Sequence, residues 1–194
     1  LLAPAVIDFY NITLIDATGS NPAFRATLRN HGAYVQFQAQ VIDDLSINAG
    51  VRFENADQRV RPIQVYTVAG LLPPETNLRR TYWLPAGTLT YQLADNMQVR
   101  LSASQTIARP QFRELVFQTY YDSEFNSQFQ GNPLLVDSQL FNLEGRYEWY
   151  FARDQRIAVA GFYKTIDIPI ESYASFDVNT FIFCFVNAPR ATLY

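Results

Sequence analysis

Alternation with a period of two runs through most of this chain. In Ala33 to Val41 (AYVQFQAQV), Ala33, Val35, Phe37, Ala39 and Val41 fall on one side, and Tyr34, Gln36, Gln38 and Gln40 on the other. Residues two apart on an extended backbone point the same way, so the pattern predicts a two-faced strand. Leu45 to Glu54 repeats it: Leu45, Ile47, Ala49, Val51 and Phe53 oppose Ser46, Asn48, Gly50, Arg52 and Glu54. Only Ile42-Asp43-Asp44 separates the two runs, which reads as a tight hairpin. Tyr82 to Leu93 and Met97 to Ile107 form a second such pair around Ala94-Asp95-Asn96. Phe141 to Phe151 and the run through Ile157, Val159, Gly161 and Tyr163 form a third, around Ala152 to Gln155. Thr180 to Tyr194 is β-rich but less regular and gives a seventh strand, and Asp8 to Leu14 offers an eighth.

Two features point away from an ordinary soluble sheet. Several runs span ten or more residues, whereas soluble strands cluster near about 5–6 and a tilted bilayer-crossing strand needs about 9–11. The connections also alternate in length. Short ones at 42–44, 94–96 and 152–155 are interleaved with long ones at Asn55 to Arg80, Ala108 to Ser138 and roughly Pro169 to Asn179. In up-and-down order all the short turns lie at one end, as in a transmembrane barrel. The predicted fold is therefore all-β: an antiparallel up-and-down transmembrane β-barrel, present here as an open section of seven or eight strands. The apolar faces carry no charge, while Arg52, Glu54, Arg100, Glu144, Arg146 and Glu148 fall on the opposite face and are expected to line a lumen. A sandwich core would also be uncharged, so a soluble β-sandwich or lectin-like binding module is the alternative. Tyr147, Trp149, Tyr150, Phe151 and Tyr91 near short turns, with Trp83 and Tyr163 towards long loops, suggest two interfacial aromatic girdles.

Composition narrows the choice further. The 194 residues suffice for one domain; 48% are hydrophobic and only 17% charged, against about 25% in average chains. Disorder is excluded by that hydrophobicity. A net charge of −3 without a basic run disfavours nucleic acid as a partner. No apolar run approaches the length of a membrane-spanning helix. Cys184 and His31 are the only residues of their kinds, so a zinc cluster is not expected, and neither a metal nor another cofactor is called for. His31, between Arg29-Asn30 and Gly32, is expected in or beside a turn. Glu144 and Glu148 could suggest a glycosidase pair, but same-face residues four apart on a strand are some 13 Å apart, too far for either carboxylate geometry. No constellation points to an enzyme.

Specific strings then become informative. RLSASQTIARPQFREL (Arg100 to Leu115), GNPLL (Gly131 to Leu135), FNLEGRYEWYF (Phe141 to Phe151), AVAGFYKTI (Ala158 to Ile166) and FVNAPRATLY (Phe185 to Tyr194) resemble, in order and spacing, the barrel of TonB-dependent outer-membrane receptors. AYVQFQAQVIDDLSINAGVRFE fits the same pattern. The resemblance implies a large plugged barrel in the outer membrane of a Gram-negative bacterium. It would import a scarce nutrient such as a ferric siderophore, vitamin or oligosaccharide. Expected partners are outer-membrane lipid, the receptor's own plug domain, the TonB energy-coupling protein acting through an N-terminal part, and the nutrient itself. On this reading residues 1–194 are an internal barrel section without plug domain or C-terminal strand, unable to close or transport by itself.

In such receptors outer loops and the lumen wall catch the ligand. The loop from Ala108 to Ser138 offers Arg109, Gln111, Arg113, Glu114, Tyr120, Tyr121, Gln128 and Asn132, whose rings can stack on a sugar or chelator and whose guanidinium groups can hold carboxylate oxygens. The ARP and GNP strings within it read more as architecture than as ligand contacts. Arg59, Arg61, Tyr66, Arg79 and Arg80 on the preceding loop read first as an ordinary solvated loop, second as a binding patch.

Overall fold

The computed structural model describes residues 23–63, 74–177 and 180–194. The eighth strand expected at Asp8 to Leu14, and Tyr66, lie outside them. Seven strands form one antiparallel sheet: β1 (Phe24–Ile42), β2 (Leu45–Pro62), β3 (Thr76–Ala94), β4 (Met97–Ala108), β7 (Ser138–Ala152), β8 (Gln155–Asp167) and β11 (Arg190–Leu193). Between β4 and β7 lie a 3-10 turn (Phe112–Leu115), β5 (Thr119–Asp122) and β6 (Ser127–Gln130); between β8 and β11 lie β9 (Ile170–Asp177) and β10 (Thr180–Asn187). β1 and β11 end the order, so the sheet is open among the described residues.

The register joins the individual strand faces into two continuous surfaces. Along one row Ile47 lies opposite Leu89, Leu89 opposite Leu101, Leu101 opposite Gly145, and Gly145 opposite Gly161. The next row on the other face runs Gln38, Asn48, Thr88, Ser102, Glu144, Phe162. The apolar surface is bare: Phe37, Trp83 and Val159 are 66%, 64% and 65% exposed. Among the described residues no second layer covers it, so the sandwich alternative has no dry interface to rest on. The three tight turns, at Asp43-Asp44, Asp95-Asn96 and Arg153-Asp154, all lie at one end. Trp83 and Tyr91, eight positions apart on β3, are separated by about 27 Å of strand, or about 21 Å of height at a tilt of about 40°. That is close to the roughly 25 Å apolar band of an outer-membrane barrel.

Several connections are shorter than the sequence suggests. Asn55–Pro62 continues β2 and Thr76–Arg80 begins β3, so Arg59, Arg61, Arg79 and Arg80 stand on strands rather than in a loop. His31 is not in a turn: it lies within β1, opposite Asn55. The reason is a reversal of polarity along unbroken strands. Up to Phe53 the odd-numbered residues of β2 are apolar; beyond it they are Asn55, Asp57, Arg59 and Arg61. Even-numbered Ala56, Gln58 and Val60 become the buried ones. The strand keeps its geometry while its surroundings change, with loop segments now covering the opposite face.

Those segments build a small core. Val60, Leu115, Val116 and Leu135 are fully buried, flanked by Phe24, Ala26, Leu78, Phe112, Ile170 and Phe185. Each fully buried aliphatic side chain contributes about 1.5–3 kcal/mol. A second, four-stranded sheet in the order β5-β6-β10-β9 completes this end, with β6 and β10 parallel. The expected loop at 169–179 is thus mostly β9, and the stretch from Thr180 divides between two sheets. β8–β9 and β10–β11 form one long hairpin broken at Pro169 and Pro189, where ladder hydrogen bonds give way to Ile168 N–H on Pro189 O (3.2 Å) and Ala188 N–H on Pro169 O (2.8 Å). Proline has no N–H to extend a ladder, and the break redirects β10 onto β6.

Candidate functional site

The polar face of β1–β4 and β7 carries a depression of about 410 Å³ lined by Gln38, Asn48, Thr88, Arg100, Ser102, Glu144 and Arg146. Alternation places these side chains together, because directly opposed residues share a face. Arg100 lies directly opposite Arg146, a pairing of like charges. Arg146 is neutralised by Glu144, with nitrogen–oxygen distances of 2.8 and 3.1 Å, and reaches Glu148 at 4.0 Å. Among the described residues no carboxylate lies within 4.0 Å of Arg100. Gln98 hydrogen-bonds Glu148, which is also 3.5 Å from Arg156. All four of Arg100, Glu144, Arg146 and Glu148 share this face. Arg146 reaches both glutamates, which leaves them as ion-pair partners rather than an acid–base couple.

Arg52 and Glu54 sit higher on the same face, where the loop segments arrive. Glu54 is buried and accepts from Arg52 Nε at 2.6 Å, Arg109 Nη2 at 2.7 Å and Asn30 Nδ2 at 3.3 Å. Gln58 Nε2 donates to the Pro110 carbonyl at 2.8 Å, and Thr76 Oγ1 to the Leu115 carbonyl at 3.1 Å. The Ala-Arg-Pro segment is therefore fastened to β2 by one ion pair and one hydrogen bond. Nearby, Asp137 is buried and its Oδ1 finds no partner, as do Arg109 Nε and Gln58 Oε1. Burial raises the Asp137 carboxyl above its ordinary value, while the neighbouring Tyr82 hydroxyl and the Arg109 and Arg80 charges pull it back.

The remaining loop candidates divide by role. Gln111 and Glu114 cap the 3-10 turn, with Glu114 Oε2 accepting from Gln111 N–H at 2.8 Å. Burial raises the Glu114 carboxyl, against the pull of that hydrogen bond and of Arg113. Arg113 bridges Asp122 at 3.0 Å and lies 5.8 Å from the Tyr120 ring centre. Tyr120 is buried and stacks on Phe129 at 5.9 Å. Asn132 ties three segments: its N–H donates to Glu114 O (2.6 Å), its Nδ2 to Phe185 O (3.0 Å), and its Oδ1 accepts from Leu134 N–H (2.9 Å). Gly131 beside it is pressed so closely on the 3-10 turn that a Cβ would overlap Val116 O outright. Tyr121 and Gln128 are exposed on one face of the four-stranded sheet, with Tyr121 hydrogen-bonded to Asn126. Asn187 escaped sequence reasoning: it exchanges hydrogen bonds with the Val136 backbone at 2.9 and 3.1 Å and donates to Ile168 O at 3.0 Å. Its position just before Ala188-Pro189 is the only local signal.

The bare apolar surface, the opposed polar face and the one-ended turns agree with a comparison at the level of sequence families. The model of the TonB-dependent receptor-like β-barrel matches residues 4–194. The chain belongs to the TonB-dependent receptor family. Solved receptors share the fold at low identity. The hemophore receptor HasR of Serratia marcescens, in complex with its hemophore HasA and heme, has a TM-score of 0.62 at 13% identity over 93% of this chain. The FrpB iron transporter of Neisseria meningitidis gives 0.55 at 14% over 86%, and the siderophore receptor PirA of Pseudomonas aeruginosa 0.51 at 12% over 88%. The chain spans 32%, 22% and 38% of those three chains respectively. The sequence matches no curated protein.

Proposed function

We propose that this chain is part of the barrel wall of an outer-membrane receptor of a Gram-negative bacterium, one that binds and imports a scarce nutrient. The supporting observation is the sheet's sidedness: an uncovered apolar surface on one face, and a ladder of Gln, Ser, Asn, Arg and Glu on the other. In water the apolar face would be a large aggregation-prone patch. Against acyl chains it is the stable arrangement, because an Arg facing lipid at mid-bilayer costs about 2–4 kcal/mol and none does so here. The polar face then lines the passage. Arg100, set against Arg146 and without its own carboxylate among the described residues, is suited to meet an acidic group from the receptor's plug domain. The TonB energy-coupling protein acts through an N-terminal part of the whole receptor.

At the loop end Tyr121 and Gln128, exposed on one face of the four-stranded sheet, are the residues best suited to meet a ligand, while Arg113 is engaged with Tyr120 and Asp122 on the other face. Arg109, Gln111, Glu114 and Asn132 shape the loop that presents them. The solved relatives carry names that mention iron, heme and siderophores, which favours an iron-bearing cargo over a vitamin or oligosaccharide. The test is uptake by a strain lacking the receptor, supplied with ferric siderophore, heme, vitamin or oligosaccharide as sole source. Loss of uptake for one of them, restored by the intact gene and abolished when the proton-motive force is collapsed, is the expected result. Normal uptake of every nutrient class by the deletion strain would contradict the reading.

A further inference from the structure

The wall formed by the seven-stranded sheet carries a seam. β2 and β3 stay paired from Tyr91 up to Thr76, and β4 and β7 from Trp149 up to Ser138. Between those two pairs, β3 and β4 are joined only as far as Ala86 opposite Ser104. The next residue on β3 is Pro85, which has no N–H to offer a ladder. Above it, Tyr82 to Leu84 and Thr106 to Ala108 run on unpaired with each other. Side chains bridge this seam. Arg109 Nη2 crosses to Glu54 at 2.7 Å, Gln58 reaches the Pro110 carbonyl at 2.8 Å, and Asp137 faces the Tyr82 hydroxyl. Higher up, Val60 and Leu78 pack against Leu115, Val116 and Leu135.

We propose that Arg109 is a two-station latch on this seam: it crosses to Glu54 while the seam is shut and withdraws to Asp137 when the loop lifts. Arg109 and Asp137 stand immediately beyond the last rung of the β4–β7 ladder, Ala108 opposite Ser138, so they lie on the same side of the seam and move together. Asp137 is buried with Oδ1 unpartnered, and Arg109 Nε is unpartnered too, so each has capacity for the other. A guanidinium and a carboxylate meet through paired N–H donors. Glu54 is not stranded by the exchange, because it keeps Arg52 at 2.6 Å and Asn30 at 3.3 Å on its own side. A buried charge left alone is strongly destabilising, and here each half of the parted seam retains an ion pair of its own. Opening then costs apolar packing but no lone charge. The competing cation is Arg80, whose charge also reaches Asp137, but it belongs to β3 and is carried away with the other half. Any consequence for cargo capture by Tyr121 and Gln128 rests on the function proposed above; the latch itself does not.

The test is hydrogen–deuterium exchange across residues 105–116 in the full-length receptor. D137N should slow exchange about 5- to 50-fold, because the lifted loop loses its ion pair. The same direction would follow if Asp137 were only an ill-placed buried charge, so the R109M background decides. With the latch, D137N slows exchange clearly less in R109M than in the unmodified receptor. If Asp137 merely suffers from burial, removing the nearby positive charge worsens its position, and D137N slows exchange in R109M by as much or more; that result overturns the inference. R80M should leave the D137N effect intact, and its loss in R80M would assign the second station to Arg80 and overturn the latch as well. Should R109M fail to fold, the structure of the E54Q receptor decides instead. Arg109 is expected on Asp137 there; Arg109 turned to solvent or still on residue 54 would contradict the exchange. These outcomes leave the nutrient-import reading to the uptake experiment.

Discussion

Replacing Gly131 by alanine should release the loop that covers the long-loop end of the sheet. An added Cβ would meet three backbone oxygens, overlapping that of Val116 and approaching those of Arg113 and Glu114 to 2.8 and 2.9 Å. Backbone cannot rotate away as a flexible side chain can, so the Gly-Asn-Pro turn must withdraw from the 3-10 turn. Withdrawal strains the Asn132 N–H bond to Glu114 O, 2.6 Å long, and loosens Leu115, Val116 and Leu135. Overpacking of this kind costs about 1–3 kcal/mol, and the hard contact here argues for the upper part, about 2–3 kcal/mol. That corresponds to amide exchange about 30- to 150-fold faster where exchange proceeds by local opening. The assay is hydrogen–deuterium exchange across residues 112–137 in the full-length receptor, with Gly161→Ala as control, since nothing lies within 4 Å of a Cβ there. Exchange indistinguishable between the two variants would refute the reasoning.

Further outcomes follow from other parts of the structure. Leu101→Arg, on the exposed apolar face, should cost about 2–4 kcal/mol of folding stability in lipid bilayers, while Ser102→Arg on the polar face should cost much less; band shift on cold gels after folding into vesicles reads both. Arg109→Met should loosen the Ala-Arg-Pro segment, and a double-mutant cycle with Glu54→Gln by thermal unfolding should give a coupling of about 1 kcal/mol or more, since both groups are largely withdrawn from water. Asp137, with its carboxyl raised by burial, binds its proton more tightly folded than unfolded. Its contribution is therefore complete below the ordinary aspartate value of about 3.9 and is lost as pH rises through the raised value. Protease resistance of the 108–138 loop should accordingly gain from Asp137→Asn at about pH 7 and hardly at all below about pH 3.9; equal effects at both would contradict this assignment.

How far the sequence could be read depended on the medium around each segment. Within the band from Leu45 to Phe53, one face meets an apolar surrounding and the other a polar one, so alternation is clean and the hairpins at 42–44, 94–96 and 152–155 were legible. Past Glu54 the same strand enters a region where the outward side is polar and the inward side is packed by loops. The alternation reverses phase, and Asn55–Pro62 reads as loop although the ladder to β1 and β3 is unbroken. His31 was misplaced for the same reason. β5 and β6 form a local hairpin of only four residues each, too short for alternation to show, and β6 meets β10 over fifty residues on, a pairing no local pattern announces. The Arg109–Glu54 contact likewise joins residues 55 positions apart. The close seat of Gly131 was partly legible, because a Gly-Asn-Pro string asks for a turn even when its neighbours are unknown.

The central claim is the sidedness of the seven-stranded sheet, and spin-label accessibility tests it most directly. Single cysteines placed along β2 and β4, in a Cys184→Ser full-length receptor reconstituted into lipid vesicles, report contact with membrane-dissolved oxygen or with a water-soluble nickel complex. Labels at Ile47, Val51, Val99 and Leu101 should favour oxygen, and labels at Asn48, Gly50, Gln98 and Ser102 should not, alternating residue by residue. Oxygen and nickel accessibilities that fail to alternate, or apolar positions shielded from both reagents, would show that the greasy face is packed against protein, contrary to this account.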